Sequence, residues 1–113
     1  MDVTLRILGH GQHQYSPQVR LDDGEHQLLA KLESINDQEF ESKLGALETL
    51  RHGSLRIDTV AQKGDSYELP SVEYKIFYGG EQVERMEQKG FFDDAKTAFF
   101  SFDFKFCPRS PWC

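Results

Sequence analysis

Asn36-Asp37-Gln38-Glu39-Phe40-Glu41-Ser42-Lys43-Leu44-Gly45-Ala46-Leu47-Glu48-Thr49-Leu50-Arg51-His52 is the stretch on which the fold class turns. Phe40, Leu44, Leu47 and Leu50 recur at helical spacing, and at about 100° per residue they span an arc of about 120°. Asn36 can cap the segment, and Glu39 stands three residues on, as in a capping box with an amide in place of the hydroxyl. Arg51 and His52 suit the negative end of a helix dipole, and Gly53 stands where a left-handed C-cap is usual. The spacing predicts one amphipathic helix over residues 36–52 with one buried face.

On both sides of this stretch the apolar period drops to two. Asp2–Leu8 alternates Val3, Leu5 and Ile7 with polar residues, the signature of a half-buried strand. Gln18–Leu21 and His26–Glu33 flank Asp22-Asp23-Gly24-Glu25, a hairpin signal. Ser54–Ala61 alternates Leu55, Ile57 and Thr59. Val72–Tyr78 and Glu81–Gln88 surround Gly79-Gly80, whose glycines suit a primed turn that pairs Tyr78 with Glu81, Ile76 with Val83 and Tyr74 with Arg85. Ala98–Cys107 sets Phe100, Phe102, Phe104 and Phe106 on one face. The expected fold is therefore α+β. Residues 1–106 form a single domain, a largely antiparallel sheet of about five to seven strands with the one helix packed on one face. A single helix cannot cover such a sheet, so some apolar surface must curl on itself or meet a partner. Residues 107–113 read as a tail, with Cys107 and Cys113 either free thiols or closing a small loop.

The 113 residues carry 19 acidic and 13 basic side chains, a formal net charge of −6. That balance speaks against nucleic acid or an anionic membrane as the main partner, since both demand a basic patch. An aromatic content of 12% supplies the apolar mass that disordered chains lack. Asp2-Val3-Thr4-Leu5-Arg6 does not read as a signal peptide, and no run approaches the roughly 20 apolar residues of a membrane span. Cytoplasm is the expected compartment.

Catalytic signatures are weak. His10 and His13 lie three apart in a Gly-rich turn, but no recognised ligand spacing accompanies them, so no metal and no cofactor is expected. Asp22-Asp23 and Asp93-Asp94 read as turn carboxylates kept solvated by their polar surroundings. No nucleophile elbow and no phosphate loop is present. An enzyme is not expected; the alternative is a small hydrolase or metal-dependent enzyme using the His10/His13 loop.

The stronger signal is for binding. On the predicted helix Asp37, Glu48 and Glu41 fall at about 60°, 80° and 100° from Phe40, an acidic stripe beside the apolar arc. Charge rows are usually solvated faces, yet such a stripe also steers a basic partner. The predicted hairpin face adds Tyr74 and Arg85, residue types favoured in interface hot spots. Gly90-Phe91-Phe92-Asp93-Asp94 offers two adjacent aromatics, which cannot both alternate inward in a strand. In size and charge the chain resembles the small acidic immunity proteins that neutralise bacterial toxins. That resemblance implies an immunity or inhibitor protein; the residues read above as its surface for a basic partner are Asp37, Glu41, Glu48, Tyr74, Arg85, Phe91 and Phe92. A phage or structural assembly subunit, with a homodimer formed through a sheet edge, is a further alternative.

Overall fold

Val3, Leu5 and Ile7 are fully buried while Arg6 between them is exposed, so the predicted alternation places β1 (Asp2–His10) at the centre of a sheet. The computed structural model describes residues 1–23 and 25–106. In chain order there follow β2 (Gln14–Asp22), β3 (Gln27–Leu29), β4 (Glu33–Ser34), β5 (Glu39–Ala46), a one-turn helix α1 (Leu47–Leu50), β6 (Ser54–Gln62), β7 (Ser71–Tyr78), β8 (Glu81–Lys89) and β9 (Thr97–Lys105). They form two antiparallel sheets, ordered β4-β5-β1-β7-β8 and β3-β2-β6-β9. The core fills the space between them. Leu5, Ile7, Tyr74 and Ile76 of the first sheet face Val19, Leu55, Ile57 and Phe102 of the second. Among the described residues no helix is long and apolar enough to cross a membrane.

The α+β expectation is overturned. Residues 39–46 of the predicted helix are strand β5, paired with β1 from Leu8↔Glu39 to Asp2↔Ala46, and only Leu47–Leu50 is helical. The inward set is Phe40, Ser42 and Leu44, at period two. Ser42 hid that period. It is 1% exposed, and its hydroxyl donates to the Lys31 carbonyl at 2.7 Å, which satisfies a polar group at an apolar position. Gly45 takes φ +116°, letting Leu44 stand as the extra residue of a bulge opposite Val3 and Thr4. A strand pairing on both of its edges gains a ladder of backbone bonds that outweighs helix preferences of a few tenths of a kcal/mol per residue. Asn36 caps no helix; its side chain accepts from the Gln38 N–H at 2.8 Å and fixes a turn. Gly53 lies outside the left-handed region. Its need is close approach, because a Cβ there would stand 1.9 Å from the Asp22 carbonyl oxygen.

The β7–β8 hairpin forms as predicted at its tip, with Gly79 and Gly80 at φ +58° and +88° and Tyr78 opposite Glu81. Beyond the tip the register shifts by one residue, so that Ile76 meets Glu84 instead of Val83. The shift keeps the Arg85 guanidinium off the core face, where the predicted pairing with Tyr74 would have buried a cation. Tyr74 and Arg85 consequently lie on opposite faces.

Arg85 joins an ion-pair cluster on the outer face. Its guanidinium contacts the Glu73 carboxylate and reaches Glu87 at 3.1 Å, while Lys75 Nζ lies 3.4 Å from Glu73. Burial alone pushes the Glu73 carboxyl up, but the hydrogen bond from Arg85 and the charges of Lys75 and Arg85 outweigh it and hold it below the usual glutamate range. A lowered folded-state value stabilises the fold above the unfolded-state value, and that contribution vanishes as pH falls through the folded one. Denaturant midpoints measured against pH should therefore fall less steeply on the acid side in Glu73→Gln than in the parent chain. Parallel curves would mean the cluster adds nothing to stability.

Candidate functional site

Strand registers bring four connections to one end of the sandwich. His10 opposes Ser71, Leu8 opposes Glu39, Gln14 opposes Gln62, Ser71 opposes Lys89 and Gln62 opposes Thr97. Residues 11–13, 35–38, 63–70 and 90–96 thus share that end.

His13 joins them. It is 2% exposed, with Nδ1 accepting from the Gly64 N–H at 3.0 Å and Nε2 2.8 Å from the Glu68 carbonyl oxygen. A carbonyl only accepts, so Nε2 carries the proton and the ring is neutral. The ring also meets Phe92 edge-on, with centroids 4.7 Å apart. Gln38 binds the second loop: its main-chain carbonyl accepts from the Gly9 N–H at 2.6 Å, and its side-chain oxygen accepts from the Gln12 N–H at 2.8 Å. Beneath, the Tyr15 hydroxyl donates to the His10 carbonyl and accepts from the Ser71 N–H at 3.3 Å, and burial pushes this phenol up.

Replacing His13 with Ala orphans the Gly64 N–H and the Glu68 carbonyl. A buried unpaired group costs about 1–3 kcal/mol, and because these two are only part-buried the pair is expected to cost about 2–4 kcal/mol, the lower part of the summed range. Amide exchange should quicken first over 63–70 and least in β1 and β7. Uniform acceleration would mean that His13 is an ordinary core residue rather than the tie between loops.

Above this tie lies an open groove of about 450 Å³, lined by Gln12, Gln14, Asn36, Asp37 and Gly64 among others. Ile35, Leu69, Phe91 and Tyr67 project from the same loops as exposed apolar side chains, Tyr67 at 96%. Lys63 Nζ sits 5.3 Å from the centre of the Tyr67 ring. Asp37, Asp65, Glu68, Asp93 and Asp94 are the carboxylates of these loops, against Lys63 and Lys96. Asp93 also holds its own turn, accepting from the Ala95 and Thr97 N–H groups at 2.9 Å. The arrangement is a polar hollow beside apolar contacts under a negative field, held by buried ties rather than by flexible loops alone.

The predicted partner-binding residues do not meet. Asp37, Phe91 and Phe92 lie at this loop end, with Phe91 77% exposed and Phe92 turned inward against His13. Glu41 is on the outer face of the first sheet, 4.0 Å from Arg6 Nε. Glu48 is on α1 at the opposite end, 3.3 Å from the Met1 amino group. Without the helix there is no shared stripe. Tyr74 is fully buried, and Arg85 is engaged by Glu73 and Glu87. His10 is exposed and His13 has both ring nitrogens committed to backbone groups, so the two do not converge. Among the described residues no group of three or more His, Cys, Asp or Glu is placed to hold a metal ion. Cys107 and Cys113 lie outside the described residues.

The 63–70 loop has no place among the residues expected from sequence. Tyr67 and Leu69, just after Lys63-Gly64-Asp65-Ser66, are the available signal, because apolar side chains there have no strand face to occupy. No family model, no curated protein and no solved structure matches this chain.

Proposed function

We propose that the chain is a small acidic protein-binding domain of the cytoplasm, of the immunity or inhibitor type, which docks its loop end on a basic protein partner. The observation that carries this reading is the company kept by Asp37, Asp65, Glu68, Asp93 and Asp94: the same loops expose Ile35, Tyr67, Leu69 and Phe91. Apolar and aromatic anchors supply contact energy at an interface core, while a single-signed rim raises encounter rates and rejects acidic competitors. The outer face of the first sheet suits docking less well, since Glu73, Arg85, Glu87 and Lys75 already neutralise one another.

The test is to isolate a partner by affinity capture on the full chain and to titrate that purified partner into isotope-labelled protein. Amide shifts should concentrate in residues 11–13, 35–38, 63–70 and 90–96. Shifts confined to the outer face of the first sheet or to the α1 end overturn the reading.

A further inference from the structure

Among the described residues the second sheet ends on β9, nine residues long and paired on one side only, with β6. Backbone groups along it alternate in direction. The Phe106 N–H points to the β6 side, where it bonds Gly53, whereas the Thr97 and Ser101 carbonyls accept bonds from Asp93 and Gln88 on the other side. Phe99, Ser101, Asp103 and Lys105 therefore present their N–H and C=O groups to the unpaired edge.

The first sheet reaches one strand farther. Tyr74 of β7 stacks on Phe102 of β9 at 5.0 Å, so β7 lies over β9 and β8 overhangs the edge. Glu84, Met86 and Gln88 of β8 pair with Ile76, Tyr74 and Val72 and share their inward face, yet Met86 is 41% exposed. Gln88 reaches down from this overhang. Its Nε2 donates to the Ser101 carbonyl at 2.6 Å, the bond that a neighbouring strand's N–H would make. Its Oε1 is buried and accepts no bond. The carboxamide stands where a peptide group belongs, and half of its bonding capacity is unmet.

From this we infer that the slot beside β9 and beneath β8 is a strand-acceptor site, filled by an extended segment of a partner protein that adds to the second sheet. Its inward side chains, at alternate positions, are apolar against Met86 and the Phe102 and Phe104 margin, with a Lys or Arg opposite Glu84. Its backbone bonds Phe99, Asp103 and Lys105. A second copy of this chain does not fit: two-fold pairing of β9 with β9 would drive each overhanging β8 into the space of the other copy's β7. The free side of β8 is a poor alternative, being bulged at Val83 and lined by Arg85, Glu87 and Lys89, devices that discourage strand pairing. The site is separate from the loop end and stands whether or not that end docks a basic protein.

The experiment selects displayed random peptides of about ten residues, the length of a long strand, on the full chain. Selected peptides should alternate apolar and polar residues, slow amide exchange at Phe99, Asp103 and Lys105, and shift the Gln88 side-chain NH₂ signals. Asp103→Pro removes an edge N–H that makes no bond to β6, and should weaken binding about tenfold or more. N-methylating the peptide at alternate residues blocks the same ladder from the other partner, and reads the site even if Asp103→Pro misfolds. Changing Asp37 and Asp65 to Asn should leave this binding intact. The inference fails if no peptide is selected, if protection appears at the loop end, if N-methylation has no effect, or if the chain itself dimerises through β9.

Discussion

Changing Tyr74 to Ala is expected to lower the unfolding free energy by about 3–5 kcal/mol, the range for removing a large aromatic from a core. Tyr74 is fully buried, stacks on Phe102 with planes 8° apart, and shares a 3.0 Å hydrogen bond with Thr59. Burial raises its hydroxyl to about 12, so it stays neutral throughout the range in which the fold is studied. One side chain thus joins β7 to both β6 and β9. Tyr74→Phe should cost about 1–2 kcal/mol, since the ring stays and only the Thr59 bond is lost. With typical domains stable by 5–15 kcal/mol, the Ala variant should be near its unfolding threshold and the Phe variant folded. Denaturant midpoints of the two decide it. A Tyr74→Ala loss below about 1 kcal/mol would show that Tyr74 lies outside the core.

The same residue shows where the sequence was legible and where it was not. Strands β1, β6, β7 and β9 follow from strict alternation of apolar side chains, because each has one face on the core. Tyr74 sits in such a strand, but its role depended on the β7–β8 register, and a single bulge moved Arg85 to the other face. Nothing local announces a bulge of that kind. The helix over 36–52 failed differently. Ser42 is inward yet polar, so period two was invisible while Phe40, Leu44, Leu47 and Leu50 simulated a helical stripe. Gly45 was the available warning, since glycine inside a helix costs about 1 kcal/mol relative to Ala.

At the candidate site the sequence supplied side chains without their company. The sequence places Asp37 on a helical flank and Phe91 in an aromatic pair, but both reach the loop end for other reasons: an Asx turn at Asn36 and the seating of Phe92 against His13. Strand registers deliver the 63–70 loop, with Asp65, Tyr67 and Glu68, to that end, and Gly64 and Glu68 hold it there by bonding a histidine about fifty residues away in sequence. Such long-range ties leave no periodic trace. What remained legible was net charge, which constrains the partner's sign but not the face that meets it.

That face is tested by moving charge from one place to another. Reversing Asp37, Asp65 and Asp94 to Lys at the loop end is expected to slow association with the captured basic partner by about a hundredfold at low salt, within the roughly 10–10³-fold span of electrostatic steering. Asp93 is left alone because its carboxylate holds a turn. Raising ionic strength should shrink the deficit, since exposed charges farther apart than a Debye length of about 8 Å at physiological salt are largely screened. Stability should change little, because all three carboxylates are exposed. Glu41 and Glu48 are the controls, a change of two charges against six. They carry the same charge but lie on the sheet face and at the α1 end, each beside a cation. Had residues 36–52 been a helix, Asp37, Glu41 and Glu48 would have acted together, and neutralising Glu41 and Glu48 would slow binding as changing Asp37 does. In the observed fold Glu41→Gln with Glu48→Gln should leave the association rate and its salt slope nearly unchanged. If the Glu41 and Glu48 variant slows binding in proportion to its smaller change of charge, the partner responds to total charge and the loop end has no special part in recognition.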